Sequence, residues 1–211
     1  MKKTLTIVMA MVLVAAVAIT GTLAYMSAQS GSVTNTFKFG SITIDLDESK
    51  VDENGQIITG GGAMRVKANT YNVAPGATVD KDPTVHVQGS EKCYVYVSVQ
   101  NNMLIGDKEV ASYTPNTGWI KIGENTANHT VVYKYNNVVD ASSGTKDLTP
   151  VFSQVTFDGN TITRENVGDL DGKTIVINAY AHQSENIGAD TSVADTAALD
   201  HFNATAITVI G

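Results

Sequence analysis

Cys93-Tyr94-Val95-Tyr96-Val97-Ser98-Val99 alternates small apolar residues with larger or polar ones at a period of two. That period belongs to a β-strand, because successive side chains leave the backbone on opposite faces. One face carries Cys93, Val95, Val97 and Val99, the other Tyr94, Tyr96 and Ser98. The pattern recurs on both sides of this segment. Ile42, Ile44 and Leu46 alternate with Thr43 and Asp45, and Val85 and Val87 flank His86. Ile175, Ile177, Ala179 and Ala181 alternate with Val176, Asn178, Tyr180 and His182. Val131 to Tyr135 and Val151 to Phe157 are rich in β-branched and aromatic residues, which suit a pleated, half-buried surface.

Turn chemistry separates these runs: Asp52-Glu53-Asn54-Gly55, Gly60-Gly61-Gly62, Pro75-Gly76, Gln88-Gly89-Ser90, Ser142-Ser143-Gly144, Asp158-Gly159-Asn160 and Asp171-Gly172. The expected fold is all-β, a sandwich with Greek-key or jelly-roll connections. One segment departs from it. Thr191 to Phe202 offers a Ser/Thr N-cap, Asp195 three residues after Ser192, and an Ala198/Phe202 pair at i,i+4, which predicts a short helix packed on the sheets. The stretch 48–70 reads as loose.

The N-terminus has its own grammar. Lys2 and Lys3 precede an uncharged apolar run from Thr4 to Thr20; Gly21 breaks it, and Thr22-Leu23-Ala24 supplies small residues at the −3 and −1 positions. This is the layout of a secretory signal peptide cut between Ala24 and Tyr25, with an uncleaved anchor as the rival reading. The expected organisation is a leader at 1–24, an N-terminal arm at 25–40 and one β domain at 41–211. Past the leader, 12 of the 14 basic residues remain against 21 acids, a net charge of −9. That balance argues against nucleic acid or an anionic membrane as a partner of the exported part, which meets the membrane only through its leader. A single cysteine, Cys93, excludes an internal disulfide and reads as a buried small hydrophobe.

The motifs of catalysis are sparse. A zincin needs two His at i,i+4 around a Glu, whereas His86, His129, His182 and His201 are scattered; His182 and His201 are the pair able to meet in space. Asp45/Asp47, Asp80/Asp82 and Asp169/Asp171 have the spacing that puts two carboxylates on one strand face, as a calcium site or an acid/base pair requires. Asp45-Leu46-Asp47-Glu48-Ser49 begins like a calcium loop but lacks its later Gly and Glu. There is no G-x-S-x-G elbow and no phosphate-binding glycine loop. No catalytic residue, metal ligand or cofactor is expected. Tyr94 and Tyr96, with Tyr133 and Tyr135 similarly placed on another strand, are either an outer-face contact or carbohydrate platform, or are covered by a second layer.

Three blocks together resemble the TasA/camelysin family of exported Gram-positive matrix proteins. The first is Gly21-Thr22-Leu23-Ala24-Tyr25 with Asn35-Thr36-Phe37-Lys38-Phe39-Gly40-Ser41-Ile42-Thr43-Ile44-Asp45-Leu46. The second is Val73-Ala74-Pro75-Gly76-Ala77-Thr78-Val79-Asp80-Lys81-Asp82-Pro83 leading into Cys93-Tyr94-Val95-Tyr96-Val97. The third is Ile177-Asn178-Ala179-Tyr180-Ala181-His182-Gln183 and the following helix, which lacks the family's usual Trp. The resemblance implies a leader cut by a SipW-like signal peptidase, a jelly roll, and self-association into extracellular biofilm fibres by lending an N-terminal strand. Some members have been classed as metallopeptidases, a label that the residues here do not support.

Physical chemistry gives that assembly a route. Residues 25–37 are polar, uncharged and free of Pro, long enough for a strand that pairs with a neighbour's sheet edge. Val33, Asn35, Phe37 and Phe39, at alternate positions, are the candidate donor residues. Such a head-to-tail contact does not close on itself and so propagates a filament. The alternative is a monomeric surface module binding glycan or calcium.

Overall fold

The structure, a computed structural model, describes residues 40–185 and 191–207. The leader, the Ala24–Tyr25 cut and the donor candidates Val33, Asn35, Phe37 and Phe39 lie outside the described residues. In chain order the strands are β1 (Ile42–Ser49), β2 (Arg65–Val66), β3 (Thr78–Asp80), β4 (Thr84–Gly89), β5 (Cys93–Asn101), β6 (Leu104–Ile105) and β7 (Lys108–Glu109). They continue as β8 (Ala111–Ser112), β9 (Trp119–Asn125), β10 (Thr130–Tyr135), β11 (Lys146–Asp147), β12 (Gln154–Phe157), β13 (Ile175–Gln183) and β14 (Thr205–Ala206). Among the described residues one α-helix, α1 (Ser192–His201), accompanies them. The described chain is all-β, with every named strand pairing antiparallel.

Two larger sheets carry the architecture, ordered β11-β4-β1-β2 and β13-β5-β10-β9-β14; β3-β12-β8 and β6-β7 are smaller. The alternation that opens the sequence explains why β5 is central. Its Cys93, Val95, Val97 and Val99 are fully buried, in one apolar cluster with Val85 and Val87 of β4, so the two larger sheets share a core. Fully burying a Val side chain stabilises by about 1.5–3 kcal/mol, and β5 contributes three such valines to the shared core.

The outer face of β5 is covered as well. Tyr96 is fully buried beneath Ala194 and Ala198 of α1. Asp195 fastens the helix: it accepts a 2.7 Å hydrogen bond from the Tyr96 hydroxyl and one of 2.7 Å from Lys134 Nζ, whose ammonium lies 4.8 Å from the Tyr94 ring centroid. Thr191 takes the N-cap position without a side-chain capping bond, so the expected capping signature gives way to docking. Of the two readings of the tyrosines, the covered one holds for Tyr96 and Tyr133. Tyr133 is buried in the main core, edge-on to Tyr113 at 6.4 Å, and Tyr135 packs on it edge-on to Trp119 at 5.2 Å. Helix cover over Tyr96 and core around Tyr133 take these two rings out of any surface platform, while Tyr94 and Tyr135 are half-buried.

Other expectations hold with shifted limits. The run from Val151 to Phe157 is a strand only from Gln154. Pro150 precedes Val151 and Phe152, which plug the core from irregular backbone. Residues 48–70 are tied down by Lys50 N–H to Met64 O (2.8 Å), Ile58 N–H to Lys50 O (3.0 Å) and the Asn69 amide to Ser49 O (2.8 Å).

Gly89 closes β4 at φ +146, and a Cβ there would stand 2.1 Å from the Ser41 carbonyl oxygen. Gly89→Ala combines backbone strain with a clash against backbone at the entry to β1. It is expected to destabilise by about 2–4 kcal/mol in chemical denaturation.

Candidate functional site

The candidate site is a seam between two strand edges. Residues Ile42 to Asp47 of β1 pair with β4 on one side, and β2 takes up the other side only at Glu48 and Ser49. All nine residues of β13 pair with β5, and no second strand flanks β13 among the described residues. Cα atoms of β1 and β13 approach within 8 Å of each other. Sheets packed face to face stand about 10 Å apart, so the two strands meet edge towards edge. No ladder joins them.

Register fixes their directions. Ile42 lies opposite Gly89 and Gln183 opposite Cys93, and only a short turn separates Gly89 from Cys93. The start of β1 and the end of β13 therefore share one end of the domain, and the strands run antiparallel. A strand seated between them would be parallel to one and antiparallel to the other. It would also need its flanking strands about 9.5 Å apart, so admitting it widens the seam.

Burial marks the same place. The inward-facing Ile42, Ile44 and Leu46 of β1, and Ile175, Ile177 and Ala179 of β13, are only partly buried, whereas their counterparts on β5 are fully buried. Beneath the seam lies a cavity of about 990 Å³ lined by Leu46, Tyr71, Val73, Phe157, Ile175 and Ile177 among others. Above it opens a more polar cleft of about 620 Å³.

Charge organises the β1 flank. Asp47 meets Arg65 and stands 2.8 Å from His86 Nε2, while Asp147 of β11 is 2.7 Å from His86 Nδ1. Arg65 also reaches Asp82 at 3.3 Å, Lys67 pairs with Asp45, and Lys81 with Glu48. Partial burial opposes the charged His86 ring, but the bonds to Asp147 and Asp47 outweigh it and raise its pKa above 6.5. Burial likewise raises Asp47, and His86 and Arg65 overcome it, so its pKa falls below 3.8. The raised histidine contributes stability fully below pH 6.5, lost as pH climbs through its folded pKa. The lowered aspartate contributes above pH 3.8, lost as pH drops through its folded pKa. Stability from this cluster is thus greatest between those limits. His86→Ala is expected to flatten the decline on the alkaline side, read as denaturation midpoint against pH.

Two of the carboxylate pairs singled out by spacing, Asp45/Asp47 and Asp80/Asp82, are engaged by protein donors. Asp80 accepts from Ile57 N–H (3.0 Å) and the Gln154 amide (3.0 Å), and Asp82 from Ser49 N–H (2.7 Å) and Oγ (2.8 Å). Only Asp45 and Asp47 share a strand; Asp169 and Asp171 lie on and after a 3₁₀ turn. His182 and His201 flank the Tyr180 ring at 6.4 and 4.6 Å without a carboxylate partner among the described residues. No group of three His, Cys, Asp or Glu able to hold a metal occurs among the described residues. Sequence reasoning missed the seam, since strand periodicity reports faces and is silent on which edges stay unpaired. Comparison with protein-family models, curated proteins and solved structures finds no match.

Proposed function

We propose that the protein is a secreted structural subunit of an extracellular matrix fibre, without catalysis, whose seam between β1 and β13 receives the N-terminal arm of another copy. On this reading the domain is a jelly-roll sandwich, the leader is removed between Ala24 and Tyr25 by a SipW-like signal peptidase, and the resemblance to TasA/camelysin proteins reflects a shared mode of assembly. The observation that carries it is the seam, where two antiparallel strands face one another with edges that no described strand pairs and half-buried Ile42, Ile44, Ile175 and Ile177. Unpaired edges of this kind are templates for another strand. A donor would satisfy both edges at once and complete the burial of the apolar residues below it.

The arm suits the task chemically. Val33, Phe37 and Phe39 alternate with Thr34, Thr36 and Lys38, so one face is largely apolar and the other polar. That matches an apolar cavity beneath the seam and a polar cleft above it. The test is negative-stain electron microscopy of the chain secreted and trimmed, with N-terminal sequencing of the product. Filaments starting from Tyr25 are expected. Single particles across concentration, pH and ionic strength would overturn the reading.

A further inference from the structure

We propose that the polar cleft above the seam is a binding site for an uncharged saccharide unit, a function separate from strand exchange. The cleft lies on the outer face of the five-stranded sheet, where α1 ends. Two adjacent rungs build its floor: Asn178 of β13 is registered with Ser98 of β5, and Gln100 of β5 with Thr130 of β10. Ser98 and Thr130 are only 3% and 6% exposed. Their hydroxyls, the Asn178 amide and Gln100 Oε1 have no hydrogen-bond partner among the described residues, so the floor presents unused donors and acceptors. Asn128, also on the cleft, holds Oδ1 buried with no partner among the described residues. A buried orphan acceptor costs about 1–3 kcal/mol until a donor reaches it, and calls for an explanation.

The walls complete the chemistry. Phe202 and His201 close one side, the His201 ring stacked on Tyr180 at 4.6 Å and 24°. Asp45, paired to Lys67, stands on the β1 side. Among the described residues no Lys or Arg lines the cleft, which disfavours a phosphate or carboxylate ligand. Hydroxyl and amide groups over the floor disfavour a lipid tail. A sugar ring fits both parts, its C–H face packing on an aromatic side chain and its hydroxyls donating to Gln100 Oε1 and accepting from Ser98 and Thr130. The volume of about 620 Å³ falls within the range of ligand sites, about 300–1,000 Å³. The open mouth lets a glycan chain pass with one unit seated.

The experiment is saturation-transfer NMR and titration of the exported chain with glucose, galactose, mannose and N-acetylglucosamine, each as monosaccharide and tetrasaccharide, beside galacturonate and inorganic phosphate. At least one neutral probe is expected to saturate, and Asn178→Ala and Phe202→Ala to weaken it about tenfold each. Asn178 is exposed, so its variant keeps the fold, which circular dichroism verifies. Absence of saturation by every neutral probe up to about 10 mM, tighter binding of the anions, or unchanged affinity in Asn178→Ala would overturn the proposal. Filament formation is scored on the same samples. Filaments without saccharide binding sink this inference alone, and binding without filaments sinks only the fibre reading.

Discussion

Deletion of residues 25–36 is expected to abolish filament formation while the domain unfolds as before. The domain's cohesion resides in residues that the deletion leaves alone, above all β5 and the strands beside it. The deleted chain retains an intact seam, and this makes the experiment sharper than a loss of function. It should still accept an arm from an unaltered chain while offering none, so small amounts added to unaltered protein should terminate growing ends. Each half-buried Ile at the seam gains about 1 kcal/mol when covered, and each main-chain hydrogen bond about 0.5–1.5 kcal/mol, against the cost of parting β1 from β13. The complementary change, Ile177→Lys, puts a charge at the acceptor edge and should give the same monomeric product with the arm present. Sedimentation velocity and electron microscopy check both. Polymerisation of either variant at the unaltered rate would refute strand acceptance at this seam.

Phe152→Ala has the largest effect expected on stability. Phe152 is fully buried and stacks on Tyr113 with ring centroids 4.4 Å apart and planes 30° apart. Its position is fixed from irregular backbone, with Val151 N–H donating to Pro83 O at 2.8 Å and Asn116 N–H to Val151 O at 2.9 Å. Those bonds hold the main chain while the ring is removed, so collapse into the space is limited and the loss is expected at about 3–5 kcal/mol. That is a large share of the roughly 5–15 kcal/mol of a typical domain. A shift below about 1 kcal/mol in guanidinium denaturation would show that the site repacks.

The longest strands were legible because their alternation is clean: Ile42 to Leu46, Cys93 to Val99 and Ile175 to Ala181 all fall within observed strands. The helix was legible within Thr191 to Phe202 from its Ser/Thr start, Asp195 and the Ala198/Phe202 pair, and it spans Ser192–His201. β9 escaped because its pattern is broken: Ile120 is 47% exposed, and Gly123 removes a side chain where one would meet Leu199. The register between β9 and β10 also shifts between Val132 and Tyr133. The tyrosines stayed ambiguous for a related reason. An aromatic opposite a valine faces out only if the second face is bare: Tyr96 of β5 is roofed by a helix from far along the chain, and Tyr133 and Tyr135 of β10 turn into the main core beside Val97. The seam and the cleft depend on the meeting of β1 with β13, which no local pattern announces.

Cys93 closes off one further matter. It is wholly enclosed, its backbone N–H donates to Val139 O at 2.9 Å, and burial pushes its thiol up to about 11. In the native state the sulfur is shielded and stays protonated at neutral pH, so oxidants and alkylating dyes find little to attack. Modification must then await an opening that frees the base of β5. A maleimide added to the unmodified protein becomes a built-in clock for that opening, and its rate against denaturant distinguishes local fraying at the β4–β5 corner from whole-domain unfolding.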